Sequence, residues 1–364
     1  MSSKAADDMA FSYAGHASRD FNARMQTWLT ALSEDVRQVA GDNLIALVLG
    51  GGYGRGEGGV LLVSGEERPY NDLDLILIVR RKGSVPWHEL GGVQHKYEPL
   101  LGVQIDFSRP LTVDDIRNWR ETVMWSDLLQ GHRVLDGPAD ILTANAPNLR
   151  SERLAPIEAT RILLNRGAGL LWAQRVLRGH EAAPDPDFIR RNYYKCALAL
   201  GDALLIAHGC FSAVYTGRKE RLLKLLGEMP PPVSFDVGRL YGEALTFKFW
   251  PGELSSIPDG TQLTTMARQW GEVLLYVERR RTHRVWRSVQ EYVRCGDTRE
   301  LDQNTIRHWP RNFVRNRQLG NWSVRYPRER LYRELPVLLE LCESPIPDWP
   351  ARSARFLAIW KQVN

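Results

Sequence analysis

The chain has 364 residues, of which 43% are hydrophobic, 25% charged and 9% aromatic, a globular composition with room for two domains and unlike a disordered chain or a disulfide scaffold. The net charge of +5 conceals an asymmetry, since residues 1–150 hold 15 Lys and Arg against 20 Asp and Glu whereas the remainder holds 33 against 23. No run approaches the ~18 apolar residues of a membrane helix, Asp7 and Asp8 stand where a secretion signal is basic and then apolar, and Cys196, Cys210, Cys295 and Cys342 have no zinc-ligand spacing, so a soluble, cytoplasmic protein without a structural metal is expected.

In chain order, Phe21, Met25, Trp28, Leu29, Leu32 and Val36 recur at spacings of three and four, which predicts an amphipathic helix over 17–40. Leu44 to Leu49 is a short apolar run that predicts a buried strand, and the glycine cluster from Gly50 to Gly59 predicts a tight backbone turn after it. Residues 72–79 predict a second strand with two acids at its mouth, 87–101 a helix, and 102–107 a third strand carrying Asp106. Beyond Gly137 and Pro138 helical periodicity dominates, over 156–177, 187–208, 218–226, 263–295 and 329–343, with breaks at prolines near 184, 230 and 251. An α+β fold is expected: a domain of residues 1–145 with helices against a short mixed sheet, then a mostly helical, basic domain of residues 146–364.

Asp72 and Asp74 are two residues apart, so a strand projects both from one face, with Leu73 and Leu75 on the other. Asp106 adds a third carboxylate if its strand is a neighbour. Three converging acids repel unless cations neutralise them, and oxygen-only ligation with open positions suits magnesium bridging to substrate phosphates. A glycine turn brings backbone N–H groups close to a phosphate.

Gly51 to Glu57, followed by Asp72 and Asp74 and later by Asp106, resembles the nucleotidyltransferase superfamily typified by DNA polymerase beta, and most of all its minimal bacterial members and antibiotic nucleotidyltransferases. The resemblance covers about residues 40–137, where Asp127 to Gly137 looks like the helix and short strand that close such a domain. It implies that Gly51 and Gly52 hold the nucleotide β- and γ-phosphates, that Asp72 and Asp74 bind two magnesium ions, or manganese in their place, and that Asp106 holds the metal beside the attacking hydroxyl. The implied reaction moves an NMP group, AMP from ATP foremost, to an acceptor hydroxyl with release of pyrophosphate. Position 52 is Gly where many members have Ser, and the interval from Gly52 to Asp72 is longer than in minimal members, which predicts an inserted hairpin or loop over 60–69.

Further nucleotide-binding candidates are Tyr53 and Arg55 beside the turn, the latter with an internal pairing to Glu57 as its other reading, and Lys195 and Tyr215, since a lysine and a tyrosine from the helical region often reach the triphosphate in the resembled family. Lys195 and Asp202 share a helix face and read equally well as structural partners; Arg161, Asn165 and Arg166 form a weaker group. His88 and His95 lack a third ligand in register and read as surface residues. The run from Trp309 to Arg317, continuing to Trp322, Arg325, Arg328 and Arg330, mixes guanidinium groups with stackable rings, suiting a nucleic-acid acceptor, a salt-bridge network or a dimer contact. The acceptor stays open between a small molecule, a protein and RNA, and the alternative to an enzyme is an inactive nucleotide-binding regulatory module.

Overall fold

In the computed structural model the described residues are 11–254, 256–343 and 345–363; the expectation about a secretion signal, which rests on Asp7 and Asp8, lies outside them. The chain divides into two compact units: Met1–Leu154 with Phe211–Arg218 and Leu245–Ser255, and Ala155–Cys210 with Lys219–Ala244 and Ser256–Asn364. The division expected at 145/146 therefore falls at Leu154, and the first unit also takes two later segments. Local periodicity assigns elements but carries no information on which distant segment packs on which unit.

The first unit is α+β. Helix α1 (Arg19–Ala40) begins where the Ser18 side chain accepts from the Phe21 N–H, and its buried stripe is the one the periodicity marks: Phe21, Met25, Leu29, Leu32 and Val36. There follow β1 (Leu44–Leu49), a single helical turn α2 (Gly51–Gly54), the hairpin β2 (Gly59–Val63) and β3 (Glu66–Tyr70), then β4 (Asp72–Val79), α3 (Trp87–Leu101), β5 (Gln104–Phe107), α4 (Val113–Arg117), α5 (Val123–Gln130) and β6 (Arg133–Asp136). The third strand starts two residues later than expected because Gly102, at φ +73°, is the left-handed cap of α3.

The main sheet has the order β5-β4-β1-β6, with β1 antiparallel to both neighbours and β4 parallel to β5. Its two faces bury different layers. Leu73, Leu75, Leu77 and Val79 of β4 join Leu47 and Leu49 of β1 against α1 and α3, whereas Ile76 and Ile78 join Ala46 and Val48 against Ile116, Trp119 and Leu128. Each fully buried aliphatic side chain contributes about 1.5–3 kcal/mol, so this two-sided packing fixes the register of β4 and with it the face on which Asp72 and Asp74 stand.

The second unit is built from helices: α6 (Ile157–Leu177), α7 (Phe188–Ala207), most of α8 (Arg218–Glu228) and of α9 (Val237–Phe249), α10 (Gly260–Thr282), α11 (Val289–Cys295), α12 (Trp309–Gln318), α13 (Leu331–Leu338) and α14 (Trp349–Val363). The periodic stretch expected over 263–295 is two helices: α10, started by a capping box of Asp259 and Gln262, stops at His283, which has φ +53°, and α11 restarts after Ser288. Among the described residues no strand follows Asp136, all four cysteines are free, and no helix is long and apolar enough to cross a membrane.

Candidate metal centre

The parallel register of β4 and β5 sets Asp72 opposite Gln104 and Asp74 opposite Asp106, so the third acid stands beside the second on the neighbouring strand. One carboxylate oxygen from each of Asp72, Asp74 and Asp106 lies within 4.8 Å of the other two, the only such group of potential metal ligands among the described residues. Asp72 is half-buried and the other two are exposed. Asn71, at φ +82°, turns the chain into β4, and its side-chain amide donates to Asp72 Oδ1. Carboxylates this close repel one another, and a cation among them removes the repulsion. The donor set is oxygen only, without nitrogen or sulfur, which fits a hard divalent cation such as magnesium or manganese.

The glycine turn is tied directly to these acids. The Gly50 N–H donates to the Asp74 carbonyl at 2.8 Å, which holds the end of β1 against β4. Gly51 has φ +61°, a conformation that side chains rarely adopt, and a Cβ there would meet the Asp74 carboxylate, which would have to move aside. The rest of the turn is braced by residues 13–15: the Gly58 N–H donates to Tyr13 O and the Gly15 N–H to Gly56 O. The N–H groups of Gly51 and Gly52 open α2, where a helix has no internal acceptor for them.

Arg55 and Glu57 form a nearly buried ion pair with Nε to Oε2 at 3.4 Å, the internal pairing of the two sequence readings. Glu57 also accepts from the backbone N–H groups of Tyr215 and Thr216, at 3.1 and 2.8 Å, and from the Thr216 hydroxyl. This carboxylate therefore fastens the 211–218 segment to the glycine turn and places Tyr215 in the first unit. Around the Tyr215 ring stand the guanidinium of Arg218 at 3.8 Å, the Lys248 ammonium at 4.6 Å and the guanidinium of Arg55 at 5.8 Å from its centroid. Lys248 Nζ also lies 3.4 Å from where a Cβ on Gly52 would be. Sequence reasoning missed Lys248, which reaches the turn from nearly 200 residues away and belongs to no motif.

Tyr53 has a structural phenol. Its hydroxyl donates to the Gly59 carbonyl at 2.6 Å, lies 3.1 Å from the Tyr70 carbonyl and accepts from the Tyr70 N–H at 2.7 Å, and burial pushes its pKa up, so it pins the hairpin that leads into Asp72. The inserted hairpin expected over 60–69 is β2 and β3. His16, also missed, has Nε2 3.2 Å from Phe249 O and its ring edge-on to Phe249 and Trp250; burial holds its pKa below the ordinary value.

Lys195 lies half-buried on α7 in the second unit, whereas Tyr215 belongs to the first. Asp202 is buried and accepts from the Tyr241 hydroxyl at 2.7 Å. Arg161 pairs with Glu158, Glu300 and Asp302, and Asn165 accepts from the Trp360 indole at 3.2 Å, which makes both part of the helical core. His88 and His95 are exposed on α3, and His95 Nδ1 lies 2.7 Å from the Gly91 carbonyl on its own helix. No protein-family model matches the chain, and comparison with curated proteins returns no significant match.

Proposed function

We propose that the chain is a metal-dependent nucleotidyltransferase with a core of the DNA polymerase beta type, transferring an NMP group, AMP from ATP foremost, to an acceptor hydroxyl. The observation that carries this reading is the juxtaposition of three carboxylates on adjacent parallel strands with a glycine turn whose backbone is hydrogen-bonded to one of these aspartates. A glycine turn alone or an Asp pair alone is common; here the Gly50 N–H joins them by donating to the Asp74 carbonyl.

Asp72, Asp74 and Asp106 would hold two magnesium ions, which supply charge neutralisation of the phosphates and acidify the acceptor hydroxyl. Gly51 and Gly52 present their N–H groups to the outer phosphates, and Lys248 adds positive charge beside Gly52. That placement gives the Gly at position 52 a physical reason: a Cβ there lies 3.0 Å from the Glu57 carbonyl and 3.4 Å from Lys248 Nζ, so the hydroxyl of a Ser is exchanged for an ammonium. Arg55 and Tyr53 act on the reaction only through the turn and the hairpin they hold. In the transfer the acceptor oxygen bonds to the α-phosphorus, the bond to the bridging oxygen breaks, pyrophosphate leaves with that electron pair, and the acceptor proton passes to a carboxylate oxygen of Asp106.

The test is incubation with magnesium and each NTP labelled at the α-phosphate, alone and with cell extract, comparing the wild type with Asp72→Ala plus Asp74→Ala. Label passed to an acceptor by the wild type and not by the double variant supports transfer, and the size of the labelled product assigns the acceptor to small molecule, protein or RNA. Nucleotide binding without label transfer, in any extract, replaces the enzyme with a nucleotide-binding regulatory module.

A further inference from the structure

The second unit contains a cleft of about 460 Å³ among α11, α12, α13, α14 and the residues between α12 and α13, a volume within the range of ligand sites. Arg325, Arg330, Arg333 and Arg352 are among its lining residues. Nε and Nη2 of Arg330 are buried with no hydrogen-bond partner, and burial lowers its pKa. Arg333 donates from Nη2 to the Gly296 carbonyl at 2.5 Å and keeps Nε buried without a partner. Buried donors are almost always satisfied; here three guanidinium nitrogens on two arginines that line the cleft have no partner in the chain, as has Oε2 of Glu329, which lines it too.

The acids in the cleft do not cancel this charge. Glu334 lies 3.9 Å from Arg352, and Glu329 accepts through Oε1 from the Glu300 N–H at 2.6 Å, its Oε2 buried without a partner. Four arginines thus stand against two carboxylates in the lining of the cleft.

The rim supplies a second kind of contact. Asn321 and Ser323 line the cleft, and Trp322 between them is 73% exposed, with the Arg317 guanidinium 3.6 Å from its ring centroid and Phe313 edge-on at 6.0 Å. Residues 303–328 include six arginines and no Asp or Glu, and Arg307, Arg315, Arg317 and Arg325 have no ion pair among the described residues. A concave anion site beside an exposed indole matches the repeating unit of a nucleic-acid strand, a phosphate next to a flat base. A lipid surface would instead meet a flat face and has no base to stack.

We propose that this part of the second unit binds single-stranded polynucleotide, with a backbone phosphate against Arg330 and Arg333 in the cleft and a base stacked on Trp322. The binding is a property of the second unit, needs neither NTP nor metal, and stands whether or not the first unit transfers nucleotides.

The test is fluorescence anisotropy of the full chain with a labelled single-stranded RNA of about 12 nucleotides, in EDTA, between about 50 and 200 mM salt. The wild type binds with an affinity that falls steeply with salt. Trp322→Ala weakens binding about tenfold, and Arg330→Met plus Arg333→Met does so by at least as much while flattening the salt dependence. Trp322 is exposed, so its variant keeps the fold even if the arginine variant does not, and thermal unfolding of each checks this. Asp72→Ala plus Asp74→Ala binds like the wild type, which separates this inference from the transfer reading. The proposal is overturned if the wild type does not bind RNA, if the variants bind it equally well, if AMP or inorganic phosphate displaces the strand at the strand's own concentration, marking a free-nucleotide site, or if vesicles containing phosphatidylserine are bound in place of RNA.

Discussion

Asp74 and Asp106 stand exposed side by side at the ends of neighbouring strands in the first unit, whereas Glu278 and Glu300 in the second are 0% exposed and wrapped in donors. Glu300 accepts from Arg161, from Arg328 through two nitrogens and from the Tyr332 hydroxyl; burial alone would raise its pKa, but the arginines hold it below the ordinary value. Glu278 likewise accepts from Thr160 and Arg281 at 2.6 Å. The difference lies in where the charge is neutralised. A buried acid must be neutralised by its own chain and so becomes architecture, while a cluster reached by solvent can be neutralised by an ion and so retains chemistry.

The largest expected effect breaks the comparison on the first side. Asp106→Asn lowers label transfer about 10²–10⁴-fold, while its melting temperature stays level or rises because one of three repelling charges is gone; a fall in both would make Asp106 another architectural acid. On the other side, Glu300→Gln costs about 3 kcal/mol in urea denaturation, since Arg161 and Arg328 lose their counter-charge, and an unchanged midpoint would refute the distinction. Gly51→Ala costs about 1–3 kcal/mol and abolishes transfer, because its φ is +61° and the new methyl meets Asp74. Lys248→Met raises KM for the NTP about tenfold, roughly 1.4 kcal/mol, and leaves the urea midpoint in place.

The smallest effect is a pH dependence. Burial holds His16 and His132 below their ordinary pKa of 6.5, so the unfolded chain takes up their protons first. Their stabilising contribution is complete above 6.5 and is lost as pH falls through the depressed folded values. Urea midpoints measured on the acid side of 6.5 should decline less steeply in His132→Gln than in the wild type.

The elements around the site were legible because each is a local pattern. The period of α1, the apolar run of β1, the alternation of Asp72 and Asp74 with Leu73 and Leu75, and the acid on β5 are all readable within one turn or one strand. Arg55 with Glu57 was readable as a local pair. The single helix over 263–295 was not read correctly, because His283 in a left-handed conformation ends α10 without a glycine or proline to signal it. The helices α9, α12 and α14 were not anticipated at all: arginines share the turns of α12 with Trp309 and Phe313, and its buried face is polar, Asn312 and Asn316, so an apolar stripe does not mark it.

The sequence by itself determined the local geometry: which residues alternate on a strand, where a glycine is required, and that three acids occur in an order compatible with one metal cluster. Tertiary structure decided their meeting. Strand order and parallel register put Asp106 beside Asp74, Glu57 drew in Tyr215 across 158 residues, and the end of α9 carried Lys248 to Gly52. The reason is physical: periodicity is set by backbone geometry within a few residues, whereas long-range partners are chosen by burial and charge satisfaction over the whole chain, which neighbouring residues do not encode.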